Sequence, residues 1–207
     1  MFRNNEVFQL FPSCVWRHEL TDAQQINGQL AQAIEAMRAE NPTRTTNLGL
    51  WQSPADLHRR PEFQGLTNAI LAAFSGVMDY LEIKREGVLI TNCWANIAPP
   101  GTSHYHHTHP NNLLSGVYYA RIPDGSARIV FEDPRPQAGV MIPAYNKYTQ
   151  QNSAQHPFDV AEGQMLIFPA WLSHLVETHT QDVERISIAF NCVPKGRLGY
   201  DTGLLEL

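Results

Sequence analysis

The sequence predicts a mainly β protein, a sandwich or jelly roll braced on one face by two N-terminal helices. Apolar residues recur at helical spacing only within the first 86 residues. From Gly87 the chain changes to short β-branched and aromatic runs separated by Pro, Gly and Asn. A histidine-rich stretch over residues 101–119 lies inside that second region and marks where chemistry belongs.

A length of 207 residues suits one domain with an ample core. Residues 1–86 read as an N-terminal strand and two supporting helices, 87–193 as the β core, and 194–207 as a C-terminal tail. No repeat, low-complexity segment or linker divides them. Glu6 to Glu19 mixes apolar and polar residues and reads as an opening strand interrupted near Pro12. Thr21-x-x-Gln24 has the form of a capping box, and Ile26, Leu30, Ile34 and Met37 follow at helical spacing to a stop before Pro42. Thr43 to Arg60 is irregular, with Trp51 as an anchor. A second helix begins around Pro61, with Phe63, Leu66, Ile70, Phe74, Val77 and Leu81 as its apolar stripe. Strands are expected at about 88–98, 112–121, 127–132, 138–142, 156–160, 164–168, 174–178 and 184–193.

The formal charge of −5 leaves no basic footprint for nucleic acid. Cys14, Cys93 and Cys192 are an odd, dispersed set without C-x-x-C, which fits buried thiols in a reducing compartment rather than a disulfide framework. The opening Met-Phe-Arg-Asn-Asn-Glu-Val-Phe has no continuous apolar signal region, and no run is long enough to span a bilayer. A cytoplasmic location is expected. Oligomeric state stays open, a homodimer being one expectation.

His104, His106, His107 and His109 fall within six positions, just before the β-prone run Leu113 to Tyr119. Residues two apart on a strand share a side, so an H-x-H pair can offer two imidazoles to one ion. The alternative is a polar, histidine-rich surface loop. Gly101 stands six positions before His107, and Gly163 six before Pro169, with His174 five further on. This resembles the two half-motifs of cupins and related double-stranded β-helix proteins, and the glycine spacing selects His107/His109 over His104/His106. Two departures make a general cupin a poor match: Leu113 and Leu114 stand where a glutamate is common, and Trp171 where a glycine is expected.

Eleven residues past His174 comes Arg185, in Glu-Arg-Ile-Ser-Ile-Ala-Phe-Asn. A period of two puts Arg185, Ser187, Ala189 and Asn191 on one face, and Ile186, Ile188 and Phe190 on the other. An Arg and a Ser projecting together can hold one carboxylate, by a guanidinium fork and a hydroxyl donor. A merely structural arginine would instead pair with Glu184 or Glu177.

Together, His-Thr-His-Pro-Asn-Asn-Leu-Leu-Ser-Gly-Val-Tyr-Tyr, Phe-Glu-Asp-Pro-Arg, Leu-Ile-Phe-Pro-Ala-Trp-Leu-Ser-His and Arg-Ile-Ser-Ile-Ala-Phe-Asn resemble a bacterial and phage branch of the 2-oxoglutarate/Fe(II)-dependent oxygenase superfamily, over roughly residues 88–193. The His-x-x-Pro-x-Asn look is also similar to aspartyl/asparaginyl hydroxylases. The resemblance implies a double-stranded β-helix core. It implies Fe(II) on His107, His109 and His174, 2-oxoglutarate as cosubstrate with its far carboxylate on Arg185 and Ser187, and dioxygen as oxidant. The implied reaction yields succinate and carbon dioxide and hydroxylates an unactivated C–H bond of a small-molecule or peptide substrate. The family's usual ligand order is H-x-D/E…H, and here the carboxylate position is His109. All three histidines bind, or His107 and His174 bind alone with water where the carboxylate would be, or a carboxylate from elsewhere such as Glu132 or Asp133 completes the set; the period of two favours the first. A neutral triad also suits Zn(II), so the alternative is a cupin-like three-histidine metalloprotein, either an oxoacid-independent dioxygenase or a non-catalytic binding module.

Asn92, Trp94 and Asn96 share a strand face, and Asn96 is a candidate contact to cosubstrate or substrate. Tyr118 and Tyr119 are candidates for lining the pocket, and Arg135 for a substrate contact or a turn ion pair. His18, His58, His156 and His179 read as solvated residues of loops or helix ends. Substrate selection is expected in Thr43–Arg60 and Pro134–Gln155.

Overall fold

A computed structural model describes residues 3–200 and 203–207. Met1 and Phe2 of the opening segment, and Asp201 and Thr202 of the tail, lie outside the described residues. The chain runs β1 (Trp16–Glu19), α1 (Ala23–Glu40), β2 (Trp51–Gln52), α2 (Gln64–Tyr80), β3 (Gly87–Ala98), β4 (His104–His107), β5 (Leu114–Arg121), β6 (Ile129–Glu132), β7 (Gln155–Phe158), β8 (Gln164–Pro169), β9 (His174–Val176), β10 (Arg185–Lys195), β11 (Arg197–Leu198) and β12 (Leu205–Glu206). Two antiparallel sheets face each other: a major one in the order β1-β8-β5-β10-β3-β2 and a minor one in the order β4-β9-β6-β7. With the helices packed on the major sheet, this is the double-stranded β-helix that the motifs imply. No described helix is long and apolar enough to cross a membrane.

Strand β10 organises the major sheet, because it pairs antiparallel with both β3 and β5. Its alternation divides two environments. Ile186, Ile188 and Phe190 are fully buried towards the helices, beside Leu30 and Ile34 of α1 and Ile70, Phe74 and Met78 of α2. Arg185, Ser187 and Ala189 point the other way, into the space between the sheets. Register then aligns Asn96 of β3, Ser187 of β10 and Tyr119 of β5 side by side. Gly116 permits the close approach: a Cβ there would run into the Phe190 ring and the Leu166 carbonyl.

Several elements differ from the sequence reading. The opening strand shrinks to β1, which pairs with β8, and Val7, Phe8, Leu10 and Phe11 are exposed. The capping box does not form: Asp22 is the N-cap residue and no side chain caps it. Helix α1 does end before Pro42, its last carbonyls taken by the Asn41 N–H. A short 3-10 turn over Pro61–Phe63 precedes α2. Because α2 stops at Tyr80, Leu81 leaves the stripe and is 41% exposed, while Met78 takes its place in the core. The strand expected over 138–142 is a 3-10 turn at Pro136–Gly139 followed by exposed Val140, Met141 and Ile142. Its β-prone residues find no partner strand in the β6–β7 connection. Strand β4 falls outside the expected strand ranges, although the H-x-H argument implies a strand there.

Candidate metal centre

The three histidines reach one another from different elements. His107 ends β4 and is the register partner of His174, which opens β9. His109 lies two residues beyond β4, so the reading that both members of H-x-H sit within one strand needs correction. A backbone bond holds it instead: its N–H donates to the Ala170 carbonyl at 2.9 Å. Ring centroids are 4.4 Å apart for His107 and His174, 5.0 Å for His107 and His109, and 5.2 Å for His109 and His174. One nitrogen from each lies within 4.8 Å of the others.

Tautomers support a metal at that point. Nδ1 of His107 bonds the Tyr105 carbonyl at 2.8 Å, and Nδ1 of His174 bonds the Leu172 carbonyl at 2.9 Å. A carbonyl only accepts, so Nδ1 carries the proton in both rings and each Nε2 keeps a free lone pair for an ion. Burial also keeps His174 and His109 neutral. It pushes the pKa of His174 down to about 3, with the neighbouring imidazoles adding to the effect against the Leu172 bond. It pushes His109 down to about 4, with His107 adding to it. With His107 and His174 oriented by backbone carbonyls and the three ring centroids 4.4 to 5.2 Å apart, these residues fit a divalent metal.

Neither carboxylate considered as a replacement reaches the triad. Glu132 accepts from the Ser173 hydroxyl at 2.6 Å, and Asp133 is held in a fork by Arg135. Arg135 is thereby accounted for as a turn ion pair.

The triad opens into a cavity of about 320 Å³ between the sheets. At its wall Arg185 is buried, 4% exposed, with one N–H on the Ala127 carbonyl at 3.0 Å and its guanidinium 5.8 Å from the Tyr119 ring. The acidic partners that a structural arginine would use are taken: Glu184 pairs with Arg38 and Glu177 with Arg128, both at 2.9 Å or less. No ion pair to Arg185 is present among the described residues. A buried cation without a counterion is costly, and a carboxylate ligand in the adjoining cavity would relieve that. Ser187, Asn96, Trp94 and Tyr119 line the same cavity; Asn96 Oδ1 also accepts from Gln52 at 3.1 Å. Asn92 and Asn191 do not line it; Asn191 donates to Asn92 and accepts from the Ser115 hydroxyl. Tyr118 faces the helices, donating to Asn27 of α1.

Two lining histidines, His104 and His179, fall outside the site that the sequence reading drew. His104 and His107 are three apart and should face opposite sides of a strand. A bulge intervenes: His104 pairs with Val176 and His107 with His174, so three steps on β4 match two on β9. Both rings therefore line the cavity. Burial, with His107 and Arg185 adding to it, lowers the His104 pKa to about 4. His179, read as solvated, is 1% exposed; its Nε2–H donates to the Val183 carbonyl, and Nδ1 is buried without a partner. Its backbone anchors both Gly101 and Thr102. His18 and His58 are half-buried, and His156 lies on β7 rather than in a loop. The motif glycines Gly101 and Gly163 have φ of +84° and +82°, values that favour glycine.

Fold and triad together define a double-stranded β-helix of the metal-binding kind. Residues 92–191, just under half of the chain, match a family model described as "Putative 2OG-Fe(II) oxygenase". The resemblance to the 2-oxoglutarate/Fe(II)-dependent oxygenase superfamily thus holds in sequence and in fold. A prolyl-4-hydroxylase from Pseudomonas putida superposes with a TM-score of 0.64 at 13% identity, covering 86% of this chain and 92% of that one. HygX from Streptomyces hygroscopicus, solved with nickel and 2-oxoglutarate bound, gives 0.62 at 11% identity over 88% and 83%. The α-ketoglutarate-dependent carbocyclase SnoK from nogalamycin biosynthesis gives 0.66 at 11% identity over 89% and 81%. No curated protein matches the chain.

Proposed function

We propose that this protein is a non-haem Fe(II)- and 2-oxoglutarate-dependent dioxygenase that hydroxylates an unactivated C–H bond. The observation that carries the reading is Arg185, a buried guanidinium with no acidic partner in the same cavity as three converging imidazoles. His107, His109 and His174 would hold the metal through one nitrogen each. Arg185 and Ser187 would receive the far carboxylate of the cosubstrate, the guanidinium supplying parallel N–H donors and the hydroxyl one more. Asn96, in register beside Ser187, would hydrogen-bond cosubstrate or substrate through its amide. Phe168, Ile129 and Val117 would exclude water from the reacting end. Bound Fe(II) supplies the activation of dioxygen, coupled to conversion of 2-oxoglutarate to succinate and carbon dioxide. A non-catalytic three-histidine module has no use for the unpaired guanidinium.

The test is succinate release from 2-oxoglutarate by the Fe(II)-loaded protein in air, screened over a metabolite and peptide library. Release that depends on Fe(II) and is abolished in His174→Ala supports the reading. Metal binding without any 2-oxoglutarate turnover would favour the three-histidine alternative.

A further inference from the structure

The charge balance of the cavity bears on the substrate, given the oxygenase reading above. Arg185 and five histidines line the cavity, and no Asp, Glu or Lys does. The nearby carboxylates are committed elsewhere: Glu177 to Arg128, Glu184 to Arg38 and Asp133 to Arg135. Glu132 bonds the Ser173 hydroxyl and does not line the cavity. A divalent ion and Arg185 bring three positive charges, the dianionic oxoacid removes two, and one remains. With a carboxylate ligand at position 109 the same sum would be zero. An uncompensated charge in a desolvated site attracts an anion strongly.

The wall also offers donors for that anion. The β4 bulge turns His104 inward, and neither of its ring nitrogens has a protein partner among the described residues. The Trp94 indole N–H, beside His109 at 6.2 Å between ring centroids, is likewise without a protein acceptor. His104 also borders a shallower cleft lined by Tyr105, His106 and Glu177, which places it at the rim. The cavity's ~320 Å³ is at the small end for ligand pockets and is shared with the cosubstrate.

We propose that the primary substrate is a small carboxylate, received in the cavity that His104 and Trp94 help to line, whose negative charge completes the neutralisation of the loaded site. This rests on the oxygenase reading.

The test uses the Co(II)-loaded protein saturated with 2-oxoglutarate. Matched series of small carboxylates, their amides and the corresponding amines are titrated in, read by calorimetry and tryptophan fluorescence. Carboxylates should bind about tenfold or more tightly than their amide and amine counterparts. His104→Ala should weaken the carboxylates about tenfold while 2-oxoglutarate affinity stays within about twofold. His109→Asp, which adds the missing charge, should shrink the carboxylate preference by about tenfold. Equal affinity across the series, a preference for amines, or no binding by any carboxylate would overturn the proposal while 2-oxoglutarate binding keeps the oxygenase reading intact. Failure of 2-oxoglutarate itself to bind would overturn both.

Discussion

His174 stands directly opposite His107 across β4 and β9, with ring centroids 4.4 Å apart, and each ring fixes its Nδ1 on the carbonyl two residues before it. Sheet pairing therefore sets the separation of these two nitrogens, and backbone hydrogen bonds set their orientation. His109 joins them from a turn, tied through its N–H to Ala170.

That arrangement makes the ligand set testable. His107→Ala, His109→Ala and His174→Ala should each lower Co(II) or Fe(II) affinity by about 100-fold or more, since removal of only a supporting partner already has effects of about 10- to 100-fold. Glu132→Gln and Asp133→Asn should leave it within about twofold. Calorimetric titration checks both; a large loss in either carboxylate variant would restore an acidic ligand.

Arg185→Lys keeps the charge and loses the fork. Affinity for 2-oxoglutarate should fall about tenfold or more, with metal affinity unchanged. Equal loss of both would mean that Arg185 only supports the fold.

Proton competition should set in late. Ordinary imidazoles titrate near pH 6.5, but burial holds His109 and His174 at about 4 and about 3. Between pH 6 and 5, log Kd for the metal should therefore change by clearly less per pH unit than the limit of about three for three ordinary histidines. The metal-free protein should respond as well. His104, His109 and His174 have folded pKa values of about 4, 4 and 3, below the unfolded value near 6.5. Their neutral burial is fully compatible with folding above pH ~6.5. Below that the unfolded state binds more protons, so stability falls as pH drops towards 4. Denaturant midpoints of the apo protein from pH 7 to 4.5 check the sign, and a flat profile would contradict it.

Packing of β10 against the helices is open to a direct check. Ile188 is fully buried between β3, β5 and the helix layer. Ile188→Ala should destabilise by about 2–5 kcal/mol in equilibrium denaturation, whereas Leu89→Ala, at 45% exposure, should cost far less.

The parts legible in the sequence were those with strict periodicity. The α1 and α2 stripes, the long strand around Arg185 and its division into Ile186/Ile188/Phe190 and Arg185/Ser187/Ala189 all follow from local spacing. His107, His109 and His174 converge as the glycine spacing indicated, although His109 does so from outside a strand. What stayed hidden depends on contacts distant in sequence. Strand β4 is polar and has no alternation of its own; it exists because β9 pairs with it. Its bulge, which turns His104 inward, is a property of that pairing. Val140, Met141 and Ile142 carry strand propensity but have nothing to pair with. His179 does lie in a loop, between β9 and β10, but nothing local signals its burial against Val183.

One cavity is expected to bind a metal and an oxoacid together. Anaerobic titration of 2-oxoglutarate into the Fe(II)-loaded protein tests it most directly, followed by visible absorption. A weak new band saturating at one equivalent, and greatly reduced affinity in Arg185→Lys, is the predicted result. Full Fe(II) occupancy with no spectral change and no heat of 2-oxoglutarate binding would contradict it.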